Sequence, residues 1–181
     1  MIRKATEFSR EEILSQKENY EYQPKLTAKL QLKNGPFSQE TINEIALWKV
    51  NRYALLEEEL ISQLNELVNL KPGQHRQAEG VLRKLLQKET KGVDLPMAST
   101  MLRFRNPEVF QIIDRRAYRV LMVNVDKYNL YTASSVDTKV KTYFEYLDEL
   151  IRFCADKAIP FTEADMLLYQ LDKKYNTEPI Y

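Results

Sequence analysis

Val140, Tyr143, Phe144, Leu147, Leu150, Ile151 and Cys154 recur at the three- and four-residue steps of an α-helix. A seam this long must be covered on its apolar side, so it predicts a core helix with other elements packed against it. Ala158-Ile159-Pro160 ends the pattern, because proline cannot continue a helix.

Shorter patterns of the same period fill most of the chain. Ser9-Arg10-Glu11-Glu12 reads as a capping box opening a helix to about Lys17. Tyr20, Tyr22 and Pro24 mark an extended connection over 19–25. Leu26, Ala28, Leu30 and Leu32 alternate as in a strand, yet Leu, Ala, Lys and Gln favour helix, so this segment stays ambiguous. Asn34-Gly35-Pro36 is a turn, and Ser38 then caps a helix carrying Ile42, Ile45 and Trp48. Trp48, Lys49, Arg52 and Tyr53 form a basic–aromatic cluster of a kind that binds nucleic acid. The pattern favours Trp48 in the core with Lys49 and Arg52 on a solvated face.

Leu56, Leu60, Leu64, Leu67 and Val68 form the next stripe, broken by Lys71-Pro72-Gly73-Gln74. Ala78, Val81, Leu82, Leu85 and Leu86 mark a helix ending near Glu89. A polar loop spans Asn124 to Ser135, and Thr162-Glu163-Ala164-Asp165 caps a last helix carrying Leu167, Leu168 and Leu171 before a fraying tail. The expectation is an all-α fold, a bundle of about eight helices. It forms a single helical domain over residues 1–181, or two small lobes sharing one chain.

Composition narrows the function. Twenty-seven basic and 26 acidic residues leave a net charge of +1, so affinity for nucleic acid must come from a local patch. The single cysteine, Cys154, excludes a disulfide within the chain and four-cysteine iron–sulfur ligation, and fits a reducing compartment. No metal site of clustered His and Cys is available from one of each. Met1-Ile2-Arg3-Lys4 carries no apolar signal segment and no apolar run is long enough to span a bilayer, pointing to a cytoplasmic protein without a membrane partner. His75, in a Pro-Gly loop, is expected at the surface.

One stretch carries the chemistry. Residues 91–119 read as a turn at Lys91-Gly92-Val93-Asp94, a short helix, a Pro-marked turn and a second helix opening at Asp114. Gly92, one of only four glycines, suits a positive φ before a helix. Asn106-Pro107 has the residue types of a helix start. Behind Asp114, Ala117, Val120 and Leu121 share one helical side. Ser99 and Thr100 have no histidine near in sequence and are expected in helix packing.

This stretch, residues 91–123, resembles the helix-hairpin-helix DNA glycosylase superfamily, in which a Gly-Val-Gly hairpin precedes a helix and an aspartate at a later helix start is catalytic. Gly92-Val93 falls on the hairpin, Ala98 on the small residue of the second hairpin helix, and Asp114 on the catalytic aspartate. The sequence departs from the pattern at Asp94, where the second hairpin glycine stands. It departs again near Pro96, where bifunctional members carry a lysine nucleophile, and at Arg115-Arg116 after the aspartate.

The resemblance implies a base excision repair hydrolase that removes a damaged base without β-elimination and needs no cofactor. Cleavage of an N-glycosidic bond builds positive charge on the sugar, which one carboxylate can stabilise while it orients water. Asp114 would be that carboxylate. The hairpin residues Lys91, Gly92 and Val93, with Arg103, Arg105, Arg115, Arg116 and Arg119, would grip DNA phosphates. An aspartate is also a preferred helix N-cap, which needs no catalysis. A non-catalytic helical module binding DNA or protein is therefore the competing reading.

Overall fold

The computed structural model describes residues 9–10, 22–32, 35–50, 54–122 and 134–176. The expected Ser9–Lys17 helix beyond Arg10, most of the Asn124–Ser135 loop, Arg52, Tyr53 and the tail beyond Asn176 lie outside them. The chain divides into two compact units, Met1–Tyr53 and Ala54–Tyr181. Among the described residues there are eight α-helices and no strand.

The first unit pairs α1 (Pro24–Gln31) with α2 (Gln39–Lys49). The 26–32 segment is helical: Pro24 occupies its first turn, where the missing N–H costs nothing. A strand would have put Leu26, Leu30 and Leu32 on one face. Instead Leu26 is buried and Leu32 is 78% exposed. Ser38 caps α2 through Oγ, which accepts from the Thr41 amide at 3.2 Å. Trp48 is half-buried rather than fully enclosed; its Nε1–H donates to Thr27 Oγ1 at 2.9 Å, and Tyr22 packs edge-on against it.

The second unit begins with α3 (Glu58–Glu66), which runs into a 3₁₀ turn at Leu67–Asn69. After Pro72-Gly73, a 3₁₀ turn at His75–Ala78 leads into α4 (Glu79–Leu85). That helix stops four residues short of Glu89, and turns occupy 86–92. Then come α5 (Leu95–Arg105), α6 (Arg115–Leu121), α7 (Val136–Lys157) and α8 (Ala164–Tyr175).

The apolar seam is the buried side of α7. Tyr143, Phe144, Leu147 and Leu150 are within 2% of complete burial, and Tyr146 joins them. Ser135 caps the start of α7, and Ala158 ends it in the left-handed region at φ 54°. Around α7 the core gathers Leu82 and Leu85 of α4, Leu95, Ala98 and Leu102 of α5, Ala117 of α6, and Leu168 of α8.

Three expectations need correction here. His75 is buried, not at the surface: its Nε2 lies 2.9 Å from Asp148 Oδ1, and its ring packs near Phe144. Asn106-Pro107 does not start a helix. Asn106 closes α5, and its side-chain amide donates to the carbonyls of Leu67 and Leu70 at 2.9 and 3.1 Å, tying α5 to the end of α3. The N-cap residue of α8, Glu163, makes no side-chain cap bond; Asp165 instead accepts from the first-turn Met166 amide with one oxygen and from the Ile112 amide with the other.

Candidate active site

The segment between α5 and α6 decides where Asp114 goes. Residues 110–114 follow a turn at 107–109 and are neither helix nor strand, so their backbone groups need partners from elsewhere. Three helices supply them. From α7, Tyr143 donates its hydroxyl to the Gln111 carbonyl and Tyr146 donates to the Ile112 carbonyl, each at 3.0 Å. From α5, buried Ser99 accepts from the Ile113 amide at 3.2 Å and donates to Pro96 O. From α8, Asp165 Oδ2 accepts from the Ile112 amide at 3.3 Å, while its Oδ1 accepts from the Met166 amide at 2.6 Å. The segment is thus held on both of its backbone edges.

Asp114 emerges from this clamp as the N-cap of α6. It has extended backbone, and its Oδ1 accepts from the Ala117 amide at 2.8 Å. The side chain is half-buried and lines a cleft of about 280 Å³ with Ile112, Asp165, Met166, Tyr169 and Gln170. That volume falls just below the usual range of ligand clefts, about 300–1,000 Å³. Burial pushes the Asp114 carboxyl above its ordinary value, and the charge of Asp165 adds to this. The Ala117 and Arg116 amides oppose the shift, as does the Arg116 charge. The result is a carboxyl that holds its proton more tightly than an ordinary one, beside a second, nearly buried carboxylate.

Two other clefts lack such a pair. One, about 280 Å³, is lined by Pro72, Val109, Cys154 and Phe161 among others. Another, in the first unit, is about 450 Å³ and lined by Thr27, Leu30, Gln31, Ile45 and Trp48.

The residues expected to grip phosphate are distributed as follows. Lys91 and Gly92 are exposed in a turn; Gly92 has φ 78°, and the Lys91 carbonyl accepts from the Leu55 amide. Val93 packs on the core. Arg103 donates to Thr162 O at 3.0 Å and lies 3.9 Å from Asp165 Oδ2. Arg105 donates twice to Asn65 O. Arg115 is half-buried at the first position of α6. Arg116 and Arg119 both reach across to buried Asp172 on α8 rather than to Asp114. At the turn itself, Asp94 accepts from the Leu95 amide at the start of α5 and pairs with Lys139 at 2.6 Å.

Sequence reasoning missed Asp165, Tyr143, Tyr146 and Ser99 as site-building residues. Their signals were submerged: Asp165 resembled a cap, Tyr143 lay within an ordinary core seam, and Tyr146 fell outside that seam. Among the described residues, no helix is long and apolar enough to cross a membrane. No protein-family model matches the chain, and neither a curated protein nor a solved structure does.

Proposed function

We propose that the protein is a DNA glycosylase-like hydrolase of base excision repair that cleaves the N-glycosidic bond of a damaged base, with Asp114 as its catalytic carboxylate. The supporting observation is the position of Asp114: half-buried, oriented by the Ala117 amide, on the wall of an open cleft. The bond from the sugar's anomeric carbon to the base nitrogen breaks, and its electron pair leaves with the base. Asp114 stabilises the developing oxocarbenium charge. Water then adds to the anomeric carbon; one of its protons passes through the carboxylate to solvent, and the departing base takes up a proton from solvent. The base must leave the duplex stack to reach the cleft. Lys91, Gly92 and the neighbouring arginines would hold the backbone.

The test compares the protein with Asp114→Asn on a panel of duplexes carrying damaged bases. The expected result is base release that leaves an intact abasic site, reduced about 100-fold or more in the variant. Binding by both proteins with release by neither sinks the enzymatic reading for that panel. A borohydride-trapped covalent adduct would overturn the non-eliminating mechanism.

A second reading, a non-catalytic helical module binding DNA or protein, is favoured by two specific facts. Asp94 takes up the α5 amide and Lys139 where a phosphate would sit, and Arg116 and Arg119 are committed to Asp172. Salt-dependent binding to undamaged duplex separates DNA from protein as its partner, since phosphate contacts weaken as salt rises.

A further inference from the structure

Asp165 stands out because only one of its oxygens serves its own helix, accepting from the first-turn Met166 amide. It lies in the first turn of α8 at 4% exposure, yet spends one oxygen on the Ile112 amide of a different segment, two residues before Asp114. A buried carboxylate is retained only where its partners compensate for lost hydration. Here they are the Ile112 and Met166 amides, with the Arg103 guanidinium 3.9 Å away. Asp165 also lines the same cleft as Asp114.

We propose that Asp165 is the positioning residue for Asp114: it anchors the segment that presents the catalytic carboxylate and supplies the second negative charge of the cleft. This rests on the proposed role of Asp114. The anchoring is direct, because a shift of residues 112–114 would move Asp114 relative to anything bound in the cleft. The electrostatic part follows from shared burial. With Asp165 ionised, Asp114 gives up its proton less readily, so the acidic limb of any activity carried by Asp114 sits higher in pH than it would alone. The other charged and titratable groups facing the pair are Arg116 on α6, Arg103 on α5, the Tyr143 hydroxyl on α7 and Tyr169 on α8, which lines the cleft beneath the Arg116 guanidinium. Arg116 draws Asp114 the opposite way, and burial keeps Tyr143 neutral.

The experiment follows the side-chain carboxyl carbons of Asp114 and Asp165 by NMR through a pH titration of the full chain, beside base release from the damaged-duplex panel. In the unmodified protein, the Asp165 carbon is expected to register the Asp114 titration step. In Asp165→Asn, which keeps one acceptor but removes the charge, the Asp114 midpoint and the acidic limb of base release both move to lower pH. Asp165→Ala loses anchor and charge together and lowers kcat about 100-fold with KM little changed, as expected for a misplaced reactive group. An Asp114 midpoint that does not fall in Asp165→Asn overturns the proposal. So does an Asp165 carbon blind to Asp114 in the unmodified protein, a measurement that needs no variant to fold. Absence of base release from the unmodified protein defeats the glycosylase reading instead, and leaves the titration to decide the pairing.

Discussion

Arg119 grips Asp172 with a fork: Nε meets Oδ1 and Nη2 meets Oδ2, each at 2.8 Å, across the interface of α6 and α8. Arg116 adds a third contact at 2.9 Å, and the Asn176 amide a fourth at 3.0 Å. Asp172 is fully buried, and this is the most extensive helix pairing among the described residues. Asp165 and Asp114 lie at the other ends of these two helices, so the fork helps hold the two cleft walls together.

Removing that anion should be costly and acid-sensitive. Burial alone would raise the Asp172 carboxyl, but hydrogen bonds from Arg119, Asn176 and Arg116 outweigh it and hold it below the ordinary value. A depressed folded value adds stability above the unfolded value of about 4, and that stability is lost as pH falls through the folded value. Asp172→Ala should destabilise by about 2–3 kcal/mol at pH 7, less than for a fully buried pair because the arginines can rehydrate. Urea unfolding at pH 7 and pH 3 should show the gap between the two proteins narrowing in acid.

Asp114 should behave in the opposite sense. Its folded value is raised, so the associated stability is present below the unfolded value of about 4 and lost as pH rises through the folded value. Asn caps a helix as well as Asp and carries no charge to bury. Asp114→Asn should therefore match or exceed the parent in stability at pH 7, with the difference vanishing near pH 4, while Asp114→Ala loses about 1 kcal/mol of cap. Unfolding midpoints measured at both pH values check this. An Asn variant much less stable at pH 7 would mean that the carboxylate is structural.

The two tyrosines of α7 offer a test of the clamp. Tyr143→Phe strands the Gln111 carbonyl, and Tyr146→Phe strands that of Ile112. Each should cost about 1–2 kcal/mol, since both tyrosines are fully buried and each leaves a carbonyl without its donor. Amide hydrogen exchange should accelerate at Ile112 and Ile113 ahead of the α7 core; uniform acceleration would show that the hydroxyls do not hold this segment specifically.

The Asp94–Lys139 pair bears on DNA. Asp94→Asn keeps a capping acceptor, frees Lys139 and costs no more than about 1 kcal/mol, since Asp94 is partly solvated. If the 91–94 turn contacts a phosphate, this variant should bind duplex DNA more tightly and increase the salt slope by about 1. An unchanged slope across a salt series removes that turn from the interface.

Helical periodicity by itself determined the all-α class, the α7 seam, the caps at Ser38 and Asp114 and the break at Pro72-Gly73, because these depend on residues within a few positions of one another. Gly92 was readable for the same reason: a positive φ is a local demand. Tertiary structure alone decided the rest. It buried His75 against Asp148, turned Asn106 from a helix start into a tie to Leu67 and Leu70, and drew Arg116 and Arg119 away to Asp172. It also brought Asp165 next to Ile112 across 53 positions of chain. Charged and polar side chains take whichever partner the packing of distant helices brings within reach, and local spacing carries no record of that choice.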